Sequence, residues 1–370
     1  MRIVHLLAPA PIGGLERVVQ GLTIGQASRG HDVTVVAVVE APLPADHPFR
    51  GPLDARKIAI REIVVPPRRY GVERRELASL IKALAPDVVH SHGSRVDVVD
   101  GETIRQLGSP TVSTVHGWTG GSIKNRLYEY LHRRALRRFD AVIAVSEPIA
   151  RGLISHGVPS DRVHSVRNAF TPVAALLSRA DARRELDLSP SAHVVGWMGR
   201  LSREKGIDVF VDAMARLPAD AVVACIIGDG PEREREAGRA GSSIVWKGMI
   251  PAAGRYLAAF DVFVQSSRTE GTPMALLEAM SAEVPIVATR VGGVPDVISE
   301  NEALLVPSED PIAMATAIAS VLADAEPAAV RARLAKHRLV TTFGADAWLD
   351  EHEKIYRLAA ERRRRATGRT

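Results

Sequence analysis

Cysteine is nearly missing from this 370-residue sequence. Cys225 stands alone, which excludes a disulfide framework and any thiolate-rich zinc site; in its apolar surroundings it reads as inert core. No apolar run approaches the roughly 18 residues needed to span a bilayer. The first stretch, MRIVHLLAPAPIGG, makes a poor secretory signal because His5, Pro9 and Pro11 interrupt it, so the expected location is the cytoplasm. Aromatic residues are only 4% of the chain, against 46% hydrophobic and 25% charged, a composition that excludes disorder, collagen and coiled coil as its main state. One domain per roughly 100–200 residues gives two or three domains, each able to bury a core.

A net charge of +5 is small, but it is unevenly spread. Residues 1–170 hold 23 Lys/Arg against 16 Asp/Glu, residues 171–360 hold 20 against 26, and the last ten hold five Arg and one Glu. A basic half, an acidic half and a basic tail therefore follow one another. Such asymmetry points to an anionic partner for one half.

Hydrophobic patterning supplies the architecture. The run Ile3 to Leu7 ends in Pro-rich sequence and Gly13-Gly14, and a helical period then places Leu15, Val18, Val19 and Leu22 on one face. Val33 to Val39 is too continuously apolar for a half-exposed strand and reads as buried parallel sheet. Strands at 87–91, 111–115 and 141–145 alternate with helical stretches at 72–85, 95–107 and 122–138. The rhythm breaks near 170–190 and restarts with strands at 193–198, 221–227, 243–246, 261–265, 285–289 and 303–306. Helices are expected at 207–217, 251–259, 273–281, 311–323, 327–338 and 345–361. The expected fold is α/β: two Rossmann-like domains, 1–170 and 171–345, with a C-terminal helix and basic tail at 346–370 packing back toward the first domain. Open α/β sheets take ligands beyond the carboxyl ends of their strands, which makes a cleft between domains the expected site.

Chemistry-bearing residues cluster in the second half. In Thr269-Glu270-Gly271-Thr272-Pro273-Met274-Ala275-Leu276-Leu277-Glu278, Thr272 is expected to cap a helix whose first residue is Pro273. The start of that helix offers free amides to an anion, and Gly271 allows close approach. Glu270 and Glu278 bracket it and could grip two polyols joined by phosphates; an ordinary acidic capped helix is the alternative. Upstream, Arg200 and Lys205 lie in a loop after a buried strand, where a diphosphate would need neutralising, although a solvated basic loop reads the same way.

Gly199-Arg200 with Lys205-Gly206, then Gly228-Asp-Gly-Pro231, Glu270-Gly-Thr-Pro with Glu278-Ala279, and Val291-Gly-Gly-Val-Pro295-Asp296 together resemble the retaining nucleotide-sugar glycosyltransferases of family 4. Gly13-Gly14, Thr114-Val-His116-Gly117 and Val145-Ser146 extend the resemblance over nearly the whole chain. It implies the GT-B architecture of two facing Rossmann-like domains and transfer, with retention, from a UDP- or GDP-sugar to a lipid-linked or polysaccharide acceptor in cell-envelope or exopolysaccharide biosynthesis. It assigns Arg200 and Lys205 to the donor diphosphate, Glu270 and the amides of Gly271, Thr272, Pro273 (by position) and Met274 to the sugar. Glu278 goes to the ribose, Met249 and Ile250 to the base, Gly13 and Gly14 to the sugar or phosphate, and His116 to the sugar near its C6 hydroxyl. It implies no obligatory metal or other cofactor, and no clustered carboxylates suited to Mg²⁺ are visible. Glu283, Ala169 and Glu302 depart from the pattern at positions that set turn geometry.

Other readings remain. His90 and His92 share a strand face and could pair on a metal, line an acceptor cleft or be structural. Segment 122–138 places Ile123, Leu127, Tyr130, Leu131 and Leu136 opposite Lys124, Arg126, Arg133, Arg134, Arg137 and Arg138. It is either a sheet-packed helix with a solvated face or, with Arg362–Arg365, a contact to an anionic membrane surface, which would make the protein peripheral at the cytoplasmic face. No nucleic-acid partner is expected. The rival functions are a non-catalytic sugar-nucleotide-binding assembly protein, a sugar-nucleotide epimerase and a phosphorylase. A glycosidase is disfavoured, because its two carboxylates must face one bond.

Overall fold

The computed structural model describes residues 1–10, 13–117, 123–170 and 175–368, and the side chains of 123–126 lie outside the description. Ser122, Lys124 and Arg126 of the basic segment therefore fall beyond it, the last two as side chains. The chain divides into two compact units, residues 1–169 with 345–370, and residues 170–344.

The first unit is built on a parallel sheet ordered β3-β2-β1-β4-β5-β6-β7, with β1 Arg2–Leu7, β2 Asp32–Val39, β3 Ala59–Val64, β4 Val88–His92, β5 Thr111–Val115, β6 Ala141–Ala144 and β7 Val163–Ser165. Strands β1, β2, β4, β5 and β6 are buried on both faces, which is why their sequences read as continuous apolar runs. The strand order reverses its direction of growth at β1/β4, the kind of point beyond whose strand ends open α/β sheets take ligands. Register there pairs His5 with His90 and Leu7 with His92, and β5 sets Thr114 beside His92.

The long helix Ala345–Thr367 completes this unit, burying Trp348, Leu349, His352, Ile355, Tyr356 and Ala359. Arg29 grips it through Asp346, Asp350 and Glu353, and Arg363 forms a buried pair with Asp140 at 2.7 Å. Arg362 likewise meets Asp161 at 2.7 Å. Half of the basic tail is thus committed to ion pairs within the unit, while Arg364 and Arg365 stay exposed.

The second unit carries a parallel sheet ordered β10-β9-β8-β11-β12-β13, with β8 His193–Met198, β9 Val222–Ile227, β10 Ile244–Gly248, β11 Val262–Gln265, β12 Ile286–Thr289 and β13 Leu304–Val306. One apolar layer centres on Phe263, Leu276, Leu277 and Met280, the other on Trp197, Phe210, Met314 and Ile318. Its reversal lies at β8/β11.

Three expectations are corrected. The helix expected at 95–107 is two, Ser94–Val99 and Gly101–Gln106, separated at Asp100. The stretch expected as helix at 251–259 is a 3₁₀ segment, Ala253–Ala259. Leu127, Tyr130 and Leu131 do not face the sheet: helix Ile123–Leu136 turns His132 and Leu136 inward and leaves those three exposed. The inward turn is fixed by His132, whose Nε2 meets the buried Asp97 carboxylate at 2.6 Å. No single helix among the described residues is long and apolar enough to cross a membrane.

Candidate functional site

In the second unit the loops after β8 and β11 meet at the sheet reversal and bring Lys205 against Glu270, with Arg200 on the same loop as Lys205. Lys205 Nζ lies 2.7 Å from Glu270 Oε1. Gln265 Nε2 and Ser267 Oγ donate to the same oxygen at 2.8 and 2.6 Å, so one oxygen carries three donors and Oε2 carries none of them. Glu270 is mostly buried and Lys205 about one-third exposed, which holds an ion pair at a rim rather than in bulk water. Arg200 is exposed, and its guanidinium makes no ion pair or side-chain hydrogen bond among the described residues.

Several contacts fix this geometry from behind. Trp197 Nε1 donates to Ser266 Oγ at 3.0 Å, and Ser266 Oγ donates to the Lys205 carbonyl at 3.0 Å. Arg268 clamps Asp208 with two bonds of 2.8 Å and donates to the Arg203 carbonyl, tying the two loops together. Gly206 sits at φ +64°, and a Cβ there would run into the Ser266 carbonyl. Gly292, at φ +52°, would likewise strike the Glu270 carbonyl, which accepts from Gly293 N–H at 3.0 Å. Only glycine permits both approaches without strain.

Helix Met274–Ser281 starts one residue later than expected. Pro273 is its N-cap, with φ −74° and ψ 109°, and no side chain caps it. Thr272 is therefore not the cap, because the extended Pro273 separates it from the first turn. The outcome suits an anion, since the side chain of the cap residue, a proline, takes up none of the first-turn amides. Glu278 is buried, with its carboxylate packed on Gly254. Met249, just after β10, is half exposed, while Ile250 packs on the core.

Gly13, Gly14 and His116 belong to the first unit. Gly13 is the N-cap of helix Gly14–Ser28, and the Glu16 carboxylate folds over it while accepting from Ala10 N–H at 2.8 Å. Burial pushes the Glu16 carboxyl upward from its usual range. The residue that closes on this helix start was not singled out from the sequence, although a Glu in a first turn is a recognisable signal.

His116 follows β5 and is partly buried. Behind it stands a cluster no sequence pattern displayed. His116 Nε2 lies 3.4 Å from His92 Nδ1, His92 Nε2 lies 3.0 Å from His5 Nδ1, and His5 Nε2 lies 2.8 Å from Gln26 Oε1. Gln26 Nε2 donates to the Tyr356 hydroxyl at 3.0 Å, and Tyr356 meets His90 Nδ1 at 2.8 Å. His90 Nε2 meets Thr114 Oγ1 at 2.7 Å. Burial holds His5, His116 and His352 down to about 4 and His90 and His92 well below the usual imidazole value. The expected His90–His92 pair thus gains His5, and the donor atoms of the three lie within 4.8 Å of one another. Both nitrogens of each ring are already hydrogen-bonded within the protein, so the arrangement is satisfied as a neutral network.

Two departures from the family pattern find local explanations. Glu283 sits at φ +53°, where glycine would be unstrained, and its carboxylate pairs with Lys336 at 2.5 Å. Glu302 accepts from the backbone and hydroxyl of Ser299 at 2.8 and 2.6 Å.

Known proteins resemble this chain in sequence and in fold. Residues 192–324 match the family model described as Glycosyl transferases group 1, and residues 12–172 match Glycosyltransferase Family 4. The chain is 29% identical to the 2-deoxystreptamine N-acetyl-D-glucosaminyltransferase of Streptomyces fradiae, over 95% of this chain and 92% of that one. It is 34% identical to the lipopolysaccharide core biosynthesis mannosyltransferase LpsB of Rhizobium meliloti, over 51% of this chain and 57% of that one. Among solved structures, Anabaena HepE in complex with UDP-glucose superposes with a TM-score of 0.82 at 21% identity, covering 96% of this chain and 98% of that one. The sucrose-phosphate synthase of Thermosynechococcus elongatus gives 0.81 at 22%, with the same coverage.

Proposed function

We infer that this chain, which belongs to the group 1 glycosyltransferases and has the GT-B fold, transfers a sugar from a UDP- or GDP-sugar to a hydroxyl of a glycan or lipid-linked acceptor, with retention. The observation that carries this reading is the pairing of Lys205 with Glu270, four residues before the start of helix Met274–Ser281, with the exposed Arg200 on the same loop as Lys205. A nucleoside diphosphate leaves only if its developing charge is neutralised. Arg200, Lys205 and the helix N-terminus supply that charge, without a resident metal. Glu270, with Oε1 saturated, turns Oε2 toward the donor sugar's hydroxyls. The bond from the sugar's anomeric carbon to the phosphate oxygen breaks, and a bond to the acceptor oxygen forms on the same face. The departing phosphate oxygen takes the acceptor's proton, so no side-chain nucleophile is needed.

HepE is described as binding UDP and UDP-glucose, and the relatives include enzymes of lipopolysaccharide core and teichuronic acid synthesis, which supports a cell-envelope or polysaccharide acceptor. Exposed Leu127, Tyr130 and Leu131 beside exposed Arg134, Arg137 and Arg138 support docking on an anionic lipid surface at the cytoplasmic face.

The test is transfer from a panel of UDP- and GDP-sugars to glycan acceptors, offered free, in anionic vesicles and in neutral vesicles, with the product's anomeric configuration read by NMR. Retained configuration with one nucleotide series, and faster transfer on anionic vesicles at low salt, are expected. Binding without turnover would mean an assembly protein. Conversion of the donor alone would mean an epimerase, and a requirement for inorganic phosphate a phosphorylase. Equal rates on both vesicles would remove the lipid surface.

A further inference from the structure

We propose that Arg268 is a positioning residue for the transfer reaction: it acts through Lys205, fixing that ammonium beside Glu270, and Glu309 holds Arg268 in place from a third loop. That Lys205 meets a donor diphosphate rests on the functional reading above; the contacts that place it stand on geometry alone.

Lys205 closes the 3₁₀ turn Arg203–Lys205, in the loop after β8. All three carbonyls of that turn accept from one short segment after β11. Arg268 Nη1 donates to the Arg203 carbonyl at 2.6 Å, the Arg268 N–H to that of Glu204 at 2.8 Å, and Ser266 Oγ to that of Lys205 at 3.0 Å. Residues 266–268 are therefore the template on which the turn is laid, and Arg268 supplies two of the three bonds. Glu270 has supports of its own, because Gln265 and Ser267 donate to Oε1 and Gly293 N–H donates to its carbonyl. A change at Arg268 thus loosens Lys205 more than Glu270.

The Arg268 side chain is fully engaged in this placement. Two of its N–H groups meet the Asp208 carboxylate at 2.8 Å each, one meets the Arg203 carbonyl, and two meet the Glu309 carboxylate. A guanidinium has five such donors, and all five are used. Asp208 lies in the first turn of helix Ile207–Met214, so the same fork fixes the chain on the far side of Lys205-Gly206. Lysine carries its donors on a single atom and cannot span two carboxylates and a carbonyl. Glu309 follows β13 and holds φ +61°, in the left-handed region where glycine would be unstrained. Its side chain is 60% exposed, so the ion pair itself adds little to the stability of the fold. Strain with little return in stability points to a role in placing Arg268.

The test is a double-variant cycle on the full chain, with the donor that the wild type accepts. Arg268→Lys should lower kcat about a hundredfold, the cost of a misplacement of about 1 Å, with KM for the donor within about threefold. In a Lys205→Ala background the same change should cost less than about threefold, because the group being placed is gone. A further loss of about a hundredfold there, the additive result, overturns the proposal, and so does a wild-type kcat in folded Arg268→Lys. Glu309→Gly, which relieves the backbone, should lower kcat at least about threefold without lowering Tm. An unchanged kcat overturns the part given to Glu309.

Amide hydrogen exchange reads the placement without activity. In Arg268→Lys, or in Asp208→Asn should the first variant fail to fold, protection at Lys205 and Gly206 should fall at least about tenfold while β8 and β11 keep theirs. Unchanged protection overturns the proposal. If the wild type transfers no sugar from any donor, the functional reading fails, and exchange still decides the placement of Lys205.

Discussion

Lys205→Ala and Glu270→Gln should each lower turnover by about 100- to 1000-fold while leaving the fold intact. Removing one preorganised charge-stabilising group from an active site costs about 2.7–4 kcal/mol of transition-state stabilisation, which is that fold-change. Lys205 is assigned to the diphosphate, so its loss should appear in kcat more than in KM, because the phosphate charge it answers grows as the bond breaks. The fold should survive because Glu270 keeps the donors Gln265 and Ser267 on Oε1 when the ammonium is gone. Glu270→Gln preserves the shape and removes the charge that orients the sugar's hydroxyls. Steady-state kinetics with thermal melts checks both. Wild-type rates in folded variants would remove the site assignment.

Acid should unfold the first unit well before the second. His5 and His352 are held down to about 4 by burial, and His90 and His92 lower still. Each titrates near 6.5 once unfolded, so below that pH the unfolded chain binds more protons and stability falls until the folded values are reached. Every such histidine contributes a slope of about 1.4 kcal/mol per pH unit through that window. Asp100 and Glu16 oppose them: burial and the neighbouring Glu73 push the Asp100 carboxyl up to about 8, and burial raises that of Glu16, so their protonated forms favour the folded state as pH falls. Two opposing carboxyls against these four histidines and His116, also held down to about 4, still leave a net loss of several kcal/mol between pH 6.5 and 5, comparable to a whole domain's stability. The second unit has only His193 and His337, both exposed. Urea unfolding at pH 7.5 and 5.0, with backbone protection read on fragments of each unit, should show the midpoint of the first unit dropping while that of the second holds. An unmoved first unit would mean that the cluster is charged or open to water.

The doubly wound sheets were legible because strands buried on both faces leave continuous runs such as Val33–Val39, a signal that needs no partner to read. β3 was not legible for the opposite physical reason. It is an edge strand whose sequence AIREIV is split by the adjacent charges Arg61 and Glu62 and buries little, so no run marks it. The donor loops were visible as residue types at strand ends, and the sheet reversal at β8/β11 that joins them is a property of strand order, which no local pattern carries. The histidine cluster was hidden for the same reason. His5, Gln26, His92 and Tyr356 lie up to 351 positions apart in number and meet only through the β1–β4 register and the terminal helix. Helix Ile123–Leu136 misled because its apolar period is real, yet a single buried bond from His132 to Asp97 outweighs it in choosing the inward face.

Calorimetric titration of UDP and GDP into the wild type and into the Arg200→Ala/Lys205→Ala double variant, at low salt, tests the central claim most directly. One nucleotide should bind the wild type, and the double variant should bind it at least about tenfold more weakly, since each charge-assisted contact is worth about 1.5–3 kcal/mol. A wild type that binds neither nucleotide, or a double variant with undiminished affinity, would contradict the account.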